Sequence, residues 1–274
     1  MPVWINGELL PDSEARISVF DHGFVVGDGV FETVKVASGQ VFALSRHLAR
    51  LSASATGLGL TAPDLDHIRA GVAAVVDASP PMTLARLRIT VTAGAGPLGS
   101  ERGNSPLTAV IALAEQRPPA DFADVAVVPW TRNEHGAATG LKTTSYAENV
   151  RALAFSAAQG AAEAIFANTA GNLCEGTGTN IFVVTGGRLV TPPLSAGCLA
   201  GVTRALVIEW AGVAEEDVPI GALAAADEAF LTGTTRDVQP IRKVNGYLLA
   251  SAPGPVTRKV ADVFGMRAAE SPDP

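Results

Sequence analysis

The chain has 274 residues, 47% of them hydrophobic, enough for one large domain or two modest ones around a sizeable core. Its 27 acidic side chains outnumber 20 basic ones for a net charge of -7, so the electrostatic footprint needed to grip a nucleic acid backbone is missing. The opening MPVWINGELLPDSEARISVF shows neither the charged region nor the apolar stretch of a leader, and no later apolar run approaches a membrane span; a cytoplasmic location is expected. Cys174 and Cys198 are too few for a disulfide framework and read as small buried residues. His22, His47, His67 and His135 are scattered without paired ligands, so no metal site is expected.

In chain order, VWINGELL and RISVF have strand patterns, and VFETVKV and QVFALS joined by ASG read as a hairpin. Ser45 offers an N-cap to a helix with Leu48, Leu51, Ala55 and Leu58 on one face. A second helix is expected from about Asp64 to Asp77, stopped by Ser79-Pro80-Pro81. The strands ARLRITVTA and LTAVIALA follow, separated by a Gly-rich loop. This is the order of a small α+β domain over residues 1–114.

The stretch EQRPPADFAD, residues 115–124, breaks every periodicity and reads as an interdomain connection, leaving 125–274 as a larger second domain. There DVAVVPW is a strand, TTSYAENVRALAFSAAQG a helix and AEAIFA a strand. NIFVVTGGRLVTP reads as a hairpin turning on Gly186-Gly187, GVTRALVIEWAG as a helix ending at Gly212, EAFLTGT as a strand and VTRKVADVFG as a final helix.

Only four of the basic residues are lysines. Lys243 and Lys259 each adjoin an arginine in polar surroundings, and Lys35 alternates with Val34 and Val36 on a strand. Lys142 differs, because it stands between Leu141 and the hydroxyl run Thr143-Thr144-Ser145 just before a helix. It reads either as a solvated lysine at a helix entrance or as an amine made nucleophilic by partial burial, able to form a Schiff base. Three later segments supply what a phosphorylated aldehyde would need. In CEGTGTNIF, Glu175 can sit under an aromatic nitrogen; in CLAGVTRALVIEW, Gly201-Val202-Thr203 opens a helix whose N–H groups can face a phosphate; LTGTTRD makes a second hydroxyl-rich turn at Gly233-Thr234-Thr235. Each segment alone also fits an ordinary cap or loop acid.

As an ordered set, GDGVFETVKV, HLARL, LKTTSYAENV, CEGTGTNIF, CLAGVTR and LTGTT resemble the class IV aminotransferases. These are pyridoxal-phosphate enzymes of fold type IV, a group that includes D-amino-acid and branched-chain aminotransferases and aminodeoxychorismate lyase. The resemblance runs from WINGELL to about PIRKVNG. It implies an α+β fold with a small N-terminal α/β domain and a larger C-terminal domain that has a β-barrel-like core and flanking helices. It also implies that Lys142 carries pyridoxal 5'-phosphate and shuttles a proton, that Glu175 pairs with the pyridine nitrogen, and that Arg50 grips the phosphate. Gly201, Val202 through its backbone N–H, Thr203 and Thr234 complete the implied phosphate site. Leu199 matches a residue that packs on the cofactor ring and Tyr146 a tyrosine near it, though plain core packing accounts for both equally well.

The reaction so implied is a ping-pong transfer of an amino group from an amino acid to a 2-oxo acid. For the substrate, the overall wording of GDGVFETVKV favours D-amino-acid donors, while Phe31 stands where that branch usually has tyrosine and also suits branched-chain L-amino-acid enzymes. Ala93 stands where an arginine is common. Arg102, without a nearby histidine, is either a carboxylate ligand or a residue of its Gly-rich loop, and Thr235 is a further candidate substrate contact. Thr33 matches a threonine of aminodeoxychorismate lyases, which release pyruvate and 4-aminobenzoate; it is equally an ordinary strand residue. The resemblance also implies a homodimer with the active site between domains and near the subunit interface. A rival of another class is a non-enzymatic α/β protein that uses the same cup for a phosphate ligand and needs no reactive lysine.

Overall fold

The computed structural model describes residues 1–274 and divides into two compact units. The first comprises Met1–Arg117, Leu141–Tyr146 and Pro272–Pro274; the second comprises Pro118–Gly140 and Ala147–Ser271. The short segment that contains Lys142 thus groups with the first unit although the chain on both sides of it belongs to the second.

The first unit opens with β1 (Pro2–Ile5) and β2 (Glu8–Pro11), a hairpin turning on Asn6-Gly7, both at positive φ as a two-residue hairpin requires. Residues 16–20, expected as a strand, join no ladder: Ile17, Val19 and Phe20 are exposed and find no partner strand. The single turn α1 (His22–Val25) is capped by Asp21, whose Oδ1 accepts from the Gly23 N–H at 2.8 Å. Next come β3 (Gly29–Ala37), the two-residue β4 (Gln40–Val41), α2 (Leu44–Gly57), α3 (Leu65–Asp77), β5 (Leu84–Thr92) and β6 (Thr108–Glu115). Ser45 is not the cap of α2. The N-cap is Ala43, held at φ 54°, and Ser45 lies inside the first turn with its Oγ directed to Asp273 at 2.6 Å. Asp64 does cap α3, accepting from the His67 N–H at 3.0 Å.

The six strands form one antiparallel sheet in the order β2-β1-β6-β5-β3-β4. Side chains alternate across it. Val30, Val34 and Val36 of β3 and Ala85, Leu87, Ile89 and Val91 of β5 point to one face and form a core with Leu48, Leu51 and Ala55 of α2 and Ile68, Val72 and Val75 of α3. Phe31, Thr33 and Lys35, with Thr90, Arg88 and Arg86 opposite them in register, occupy the other face.

The second unit carries β7 (Ala123–Arg132), α4 (Ala147–Ala158), β8 (Glu163–Asn168), β9 (Leu173–Gly176), β10 (Asn180–Thr185), β11 (Arg188–Thr191), α5 (Val202–Ala211), β12 (Ala214–Glu215), β13 (Glu228–Gly233), β14 (Asp237–Val244), β15 (Tyr247–Leu248) and α6 (Pro255–Glu270). The strands order as β12-β11-β10-β13-β14-β7-β8-β9, with β15 on β14, in a mixed sheet that curls as a half-barrel. Its apolar centre includes Ile165, Leu173, Ile181, Leu231 and Ile241. The irregular stretch before this unit ends sooner than the expected residue 124, because Ala123 and Asp124 already pair with β14. Sequence analysis passed over β14 because Pro240 and the charges of DVQPIRKV mask its alternation; Gln239 and Ile241 are buried all the same. Helix α4 starts at Ala147, so the hydroxyl run before it is not helical.

Candidate active site

Hydrogen bonds made by the hydroxyl run explain its position. Thr143 forms an antiparallel bridge with Val30, the Phe31 N–H donates to the Lys142 carbonyl at 2.9 Å, and the Thr144 N–H donates to the Gly29 carbonyl at 2.8 Å. The Thr144 and Ser145 hydroxyls both donate to the Gly27 carbonyl, at 2.8 and 3.1 Å, and the Lys142 N–H donates to the Ser54 hydroxyl at 3.2 Å. A helical continuation would have used those donors internally, so the segment stays extended as a short extra strand along the start of β3. Lys142 is half-buried, and its Nζ lies 4.5 Å from the centre of the Phe31 ring. Tyr146 meets that ring edge-on at 5.2 Å. The Arg88 guanidinium lies over it at 3.5 Å.

On the opposite face of β3, Glu32 is fully buried and takes both Arg50 and His47. Arg50 forks it, Nε to Oε1 at 2.8 Å and Nη2 to Oε2 at 2.7 Å, and His47 Nδ1 lies 2.7 Å from Oε2. Burial alone would raise the Glu32 pKa, but the Arg50 charge and its hydrogen bonds, with His47 behind them, hold it at about 2. His47 is pushed below the ordinary imidazole range, chiefly by burial, against the pull of Glu32. His47 and Arg50 of HLARL sit three residues apart on one side of α2, which is why one carboxylate reaches both. Sequence analysis missed Glu32; the signal was a charged residue in register with Val30 and Val34 on the core side of a strand.

In the second unit, β9 presents Glu175 with Oε2 accepting from the Leu199 N–H at 2.9 Å and Oε1 lying 3.4 Å from Arg132 Nε. Arg132 was also missed. Its Nη1 reaches Glu148 at 2.5 Å, its Nη2 reaches Asn149 at 2.8 Å, and its guanidinium stacks 4.2 Å from the Phe166 ring centre. Asn149 in turn donates to the Thr177 carbonyl at 2.7 Å, which ties the first turn of α4 to the loop after β9.

Helix α5 begins at Val202 with Gly201 as N-cap, and no side chain caps it. Its first N–H groups and the buried Thr203 therefore form an anion-seeking end. Gly201 is fixed by space: a Cβ there would lie 2.0 Å from Asn180 Oδ1, and Asn180 is held by donating Nδ2 to the Leu199 carbonyl at 2.8 Å. Thr234 and Thr235 lie in the tight turn between β13 and β14, closed by the Arg236 N–H donating to the Gly233 carbonyl at 3.0 Å. That turn lies against the loop after β9, with Gly233 near Gly178 and Thr179. Beneath both runs Glu163, buried, which accepts from the Thr177 N–H at 3.1 Å and from the Thr177 hydroxyl, and lies 3.3 Å from Arg236.

The second unit thus carries Glu175 and Leu199 in contact, the Gly201-Val202-Thr203 helix start tied to Leu199 through Asn180, and Thr234 and Thr235 in the turn beside the loop after β9; the first sets Lys142 and Tyr146 on Phe31, with Thr33 on the same sheet face and Arg50 on the other. Arg102 is fully engaged in tying its Gly-rich loop to the segment after α1 and the end of α2. It forks Asp28 at 2.7 Å through both Nε and Nη2, and donates to the Gly59 and Leu58 carbonyls at 2.7 and 2.8 Å. Thr33 is half-buried directly across from Arg88. Cys174 and Cys198 are free and buried, and burial pushes the Cys198 thiol up to about 12. No group of histidine, cysteine or acidic side chains is placed to hold a metal ion.

Residues 29–244 match the family model described as amino-transferase class IV. A putative branched-chain-amino-acid aminotransferase of Methanocaldococcus jannaschii is 32% identical over 96% of this chain and 95% of its own length. A D-alanine aminotransferase of Bacillus licheniformis is 28% identical over 95% of this chain and 94% of its own length. Among solved structures, the branched-chain aminotransferase of the archaeon Thermoproteus uzoniensis with norvaline superposes with a TM-score of 0.90 at 31% identity, covering 97% of this chain and 93% of that one. The chain belongs to the class IV aminotransferases, which are pyridoxal-phosphate-dependent enzymes.

Proposed function

We propose that the chain moves an amino group between an α-amino acid and a 2-oxo acid in two half-reactions, with Lys142 as the residue that binds the cofactor and moves the proton. The residues fit pyridoxal phosphate by their chemistry. An uncapped helix start at Val202 with Thr203 suits a phosphate, Glu175 is a carboxylate oriented by Leu199 and Arg132, and Lys142 lies on an aromatic ring. Lys142, Glu175, Val202, Thr203, Thr234 and Arg50 would hold it, with Leu199 and Tyr146 against the ring. When bound, the cofactor offers an aldehyde carbon for the amino group and a protonated ring that spreads the electrons left when the substrate α-proton departs.

This chain's residues do the rest. Lys142 Nζ would take the α-proton and deliver it to the carbon that the aldehyde supplies, two atoms further on across the amino nitrogen, and the aromatic pair Phe31 and Tyr146 keeps water from its flank. Arg132 keeps negative charge on Glu175, and the backbone of Leu199 fixes its direction. Glu32 holds Arg50 in one orientation through two parallel hydrogen bonds.

The observation that carries this reading is Lys142 moored by both its N–H and its carbonyl to the first unit with Nζ over Phe31. For the donor, the reading we favour is a neutral aliphatic L-amino acid of the branched-chain kind, supported by the aromatic wall at Phe31 and Tyr146 and by the archaeal relatives. D-amino acids are the second reading, supported by the GDGVFETVKV strand and the D-alanine aminotransferase relative. A second copy of the chain is the proposed partner, for which Ile17, Val19, Phe20, Phe24 and Leu98 offer exposed apolar surface on the first unit. A cytoplasmic setting suits the two free cysteines.

A spectral screen of D- and L-amino acids against the cofactor-loaded protein tests the donor. Conversion by L-leucine, L-isoleucine or L-valine supports the first reading, and conversion by D-alanine or D-glutamate alone supports the second. Conversion by none of them, with pyruvate released from aminodeoxychorismate, would overturn both in favour of a lyase that uses Thr33.

A further inference from the structure

Helix α2 receives its N-terminal cap from the far end of the chain. Pro272–Pro274 follow α6 by one residue yet group with the first unit. Ala43, the N-cap of α2 by backbone position, stands at φ 54° and offers no side-chain acceptor to the first amides of the helix. Asp273 supplies one. Its Oδ1 accepts from the Ser45 N–H at 2.8 Å, the second amide of the helix and one that an ordinary N-cap side chain would reach, and its Oδ2 accepts from the Ser45 hydroxyl at 2.6 Å. To either side, the Ala43 N–H donates to the Pro272 carbonyl at 2.6 Å and Arg46 Nε donates to the Pro274 carbonyl at 2.8 Å. Arg69 of α3 donates to the Ser45 hydroxyl at 3.0 Å and lies 4.0 Å from Asp273 Oδ2. A carboxylate also suits the positive end of the helix dipole. Prolines on both sides of Asp273 fix φ at their own positions and hold Ser271 and Asp273 extended, so the tail gives up little freedom when it docks.

The capped turn leads directly to the residues that hold Glu32. The His47 N–H donates to the Ala43 carbonyl at 3.2 Å, the first bond of the helix, and the His47 ring lies 2.7 Å from Glu32. Three residues on, Arg50 forks the same carboxylate. We propose that Pro272-Asp273-Pro274 is the clamp that starts α2, and that Asp273 acts through α2 and Arg50 as a positioning residue for the cofactor phosphate. The inference rests on the reading of Arg50 as a phosphate ligand. Without the clamp the first turn frays, the His47 amide loses its bond to Ala43, and Glu32 keeps Arg50 with one brace fewer. The effect falls on the phosphate end of the cofactor, because that is where Arg50 would act.

The test compares Asp273→Ala, Asp273→Asn and a deletion of Pro272–Pro274 with the unsubstituted protein, by equilibrium dialysis of pyridoxal 5'-phosphate and of pyridoxal, which lacks the phosphate. The deletion begins past Ser271, the C-cap of α6, and leaves that helix whole. Thermal melting checks folding. We expect Asp273→Ala and the deletion to weaken retention of pyridoxal phosphate ~10-fold while retention of pyridoxal changes less than about threefold, with recovery in Asp273→Asn, whose amide oxygen still accepts the Ser45 N–H. Amide exchange at His47 should quicken in parallel. Folded Asp273→Ala and deletion proteins that retain pyridoxal phosphate within about threefold of the unsubstituted protein overturn the inference. An equal loss of pyridoxal also overturns it, since the tail would then support the unit as a whole, and so does an Asp273→Asn protein as weak as Asp273→Ala, since capping would not be its role. Arg50→Ala separates the two layers. If it weakens retention of pyridoxal phosphate and the tail variants do not, the clamp fails and the reading of Arg50 stands; if it retains the cofactor as well as the unsubstituted protein does, the reading of Arg50 fails and takes the inference with it.

Discussion

Glu175 accepts the backbone N–H of Leu199 at 2.9 Å through Oε2 while its other oxygen faces Arg132 Nε at 3.4 Å. The carboxylate therefore has a structural bond and a charge-stabilising neighbour on different oxygens, and substitution can separate the two. Glu175→Gln keeps an oxygen for Leu199 but abolishes the charge. It should lower kcat by roughly 100-fold or more with little change in melting temperature. Glu175→Ala should lose both, and steady-state kinetics with thermal unfolding distinguish the pair.

Lys142→Ala should remove turnover by roughly 10,000-fold and change the visible absorption of the bound cofactor, while leaving the fold intact. The moorings of the segment come from its backbone and from the Thr144 and Ser145 hydroxyls, which the substitution does not touch. Retained turnover with an unchanged spectrum would assign the chemistry elsewhere.

Gly201→Ala should destabilise the second unit by about 1–3 kcal/mol, because its Cβ would sit 2.0 Å from Asn180 Oδ1 and Asn180 cannot move without releasing the Leu199 carbonyl. The start of α5 would shift with it. Equilibrium dialysis should show weaker retention of pyridoxal phosphate, and unaltered retention would remove Gly201 from the phosphate site.

Glu32 predicts an acid dependence of known sign. Its folded pKa of about 2 lies below the model-compound value of 4.5, so its contribution is complete above about 4.5 and is lost as the pH falls through 2. That span corresponds to about 3 kcal/mol. Urea unfolding of the original chain and of Glu32→Gln should therefore differ most near neutral pH, and the gap should close by about that amount towards pH 2. A gap independent of pH would mean that the Arg50 fork does not set the Glu32 charge.

Arg102→Ala should cost about 1 kcal/mol of stability, since its pair with Asp28 is partly open to solvent. Donor preference should stay unchanged, because the Arg102 donors are spent on Asp28 and the Leu58 and Gly59 carbonyls. A selective loss with one class of donors in kinetic assays would restore it as a substrate residue.

Much of the fold was legible because its signals are local. Asp64 before Leu65 and Gly212 after Ala211 mark helix ends that the structure reproduces, and Gly186-Gly187 marks the hairpin of β10 and β11. The failures are non-local. RISVF has the residues of a strand but no strand to pair with, and Thr143 to Ser145 have the position of a helix start but bridge to Val30 through Thr143 and donate to Gly27 and Gly29 through Thr144 and Ser145, more than a hundred residues earlier. Of the candidate site, Lys142 and Glu175 were legible from their ordered motifs. Arg132, Glu163, Asn180 and Arg88 were not, since each acts through a partner that only the folded chain brings near.

The return of Leu141–Tyr146 to the first unit bears on how the chain is made. A nascent chain of 117 residues has all six strands of the first sheet but lacks the bridge to Val30 and the bonds to Gly29 and Phe31. The leading end of β3 then waits with open backbone groups until residue 146 has left the ribosome. The residue proposed for catalysis is thus part of the last piece needed to complete that edge, so a fragment cut after Arg117 should hold β3 less firmly in hydrogen exchange than the whole chain does.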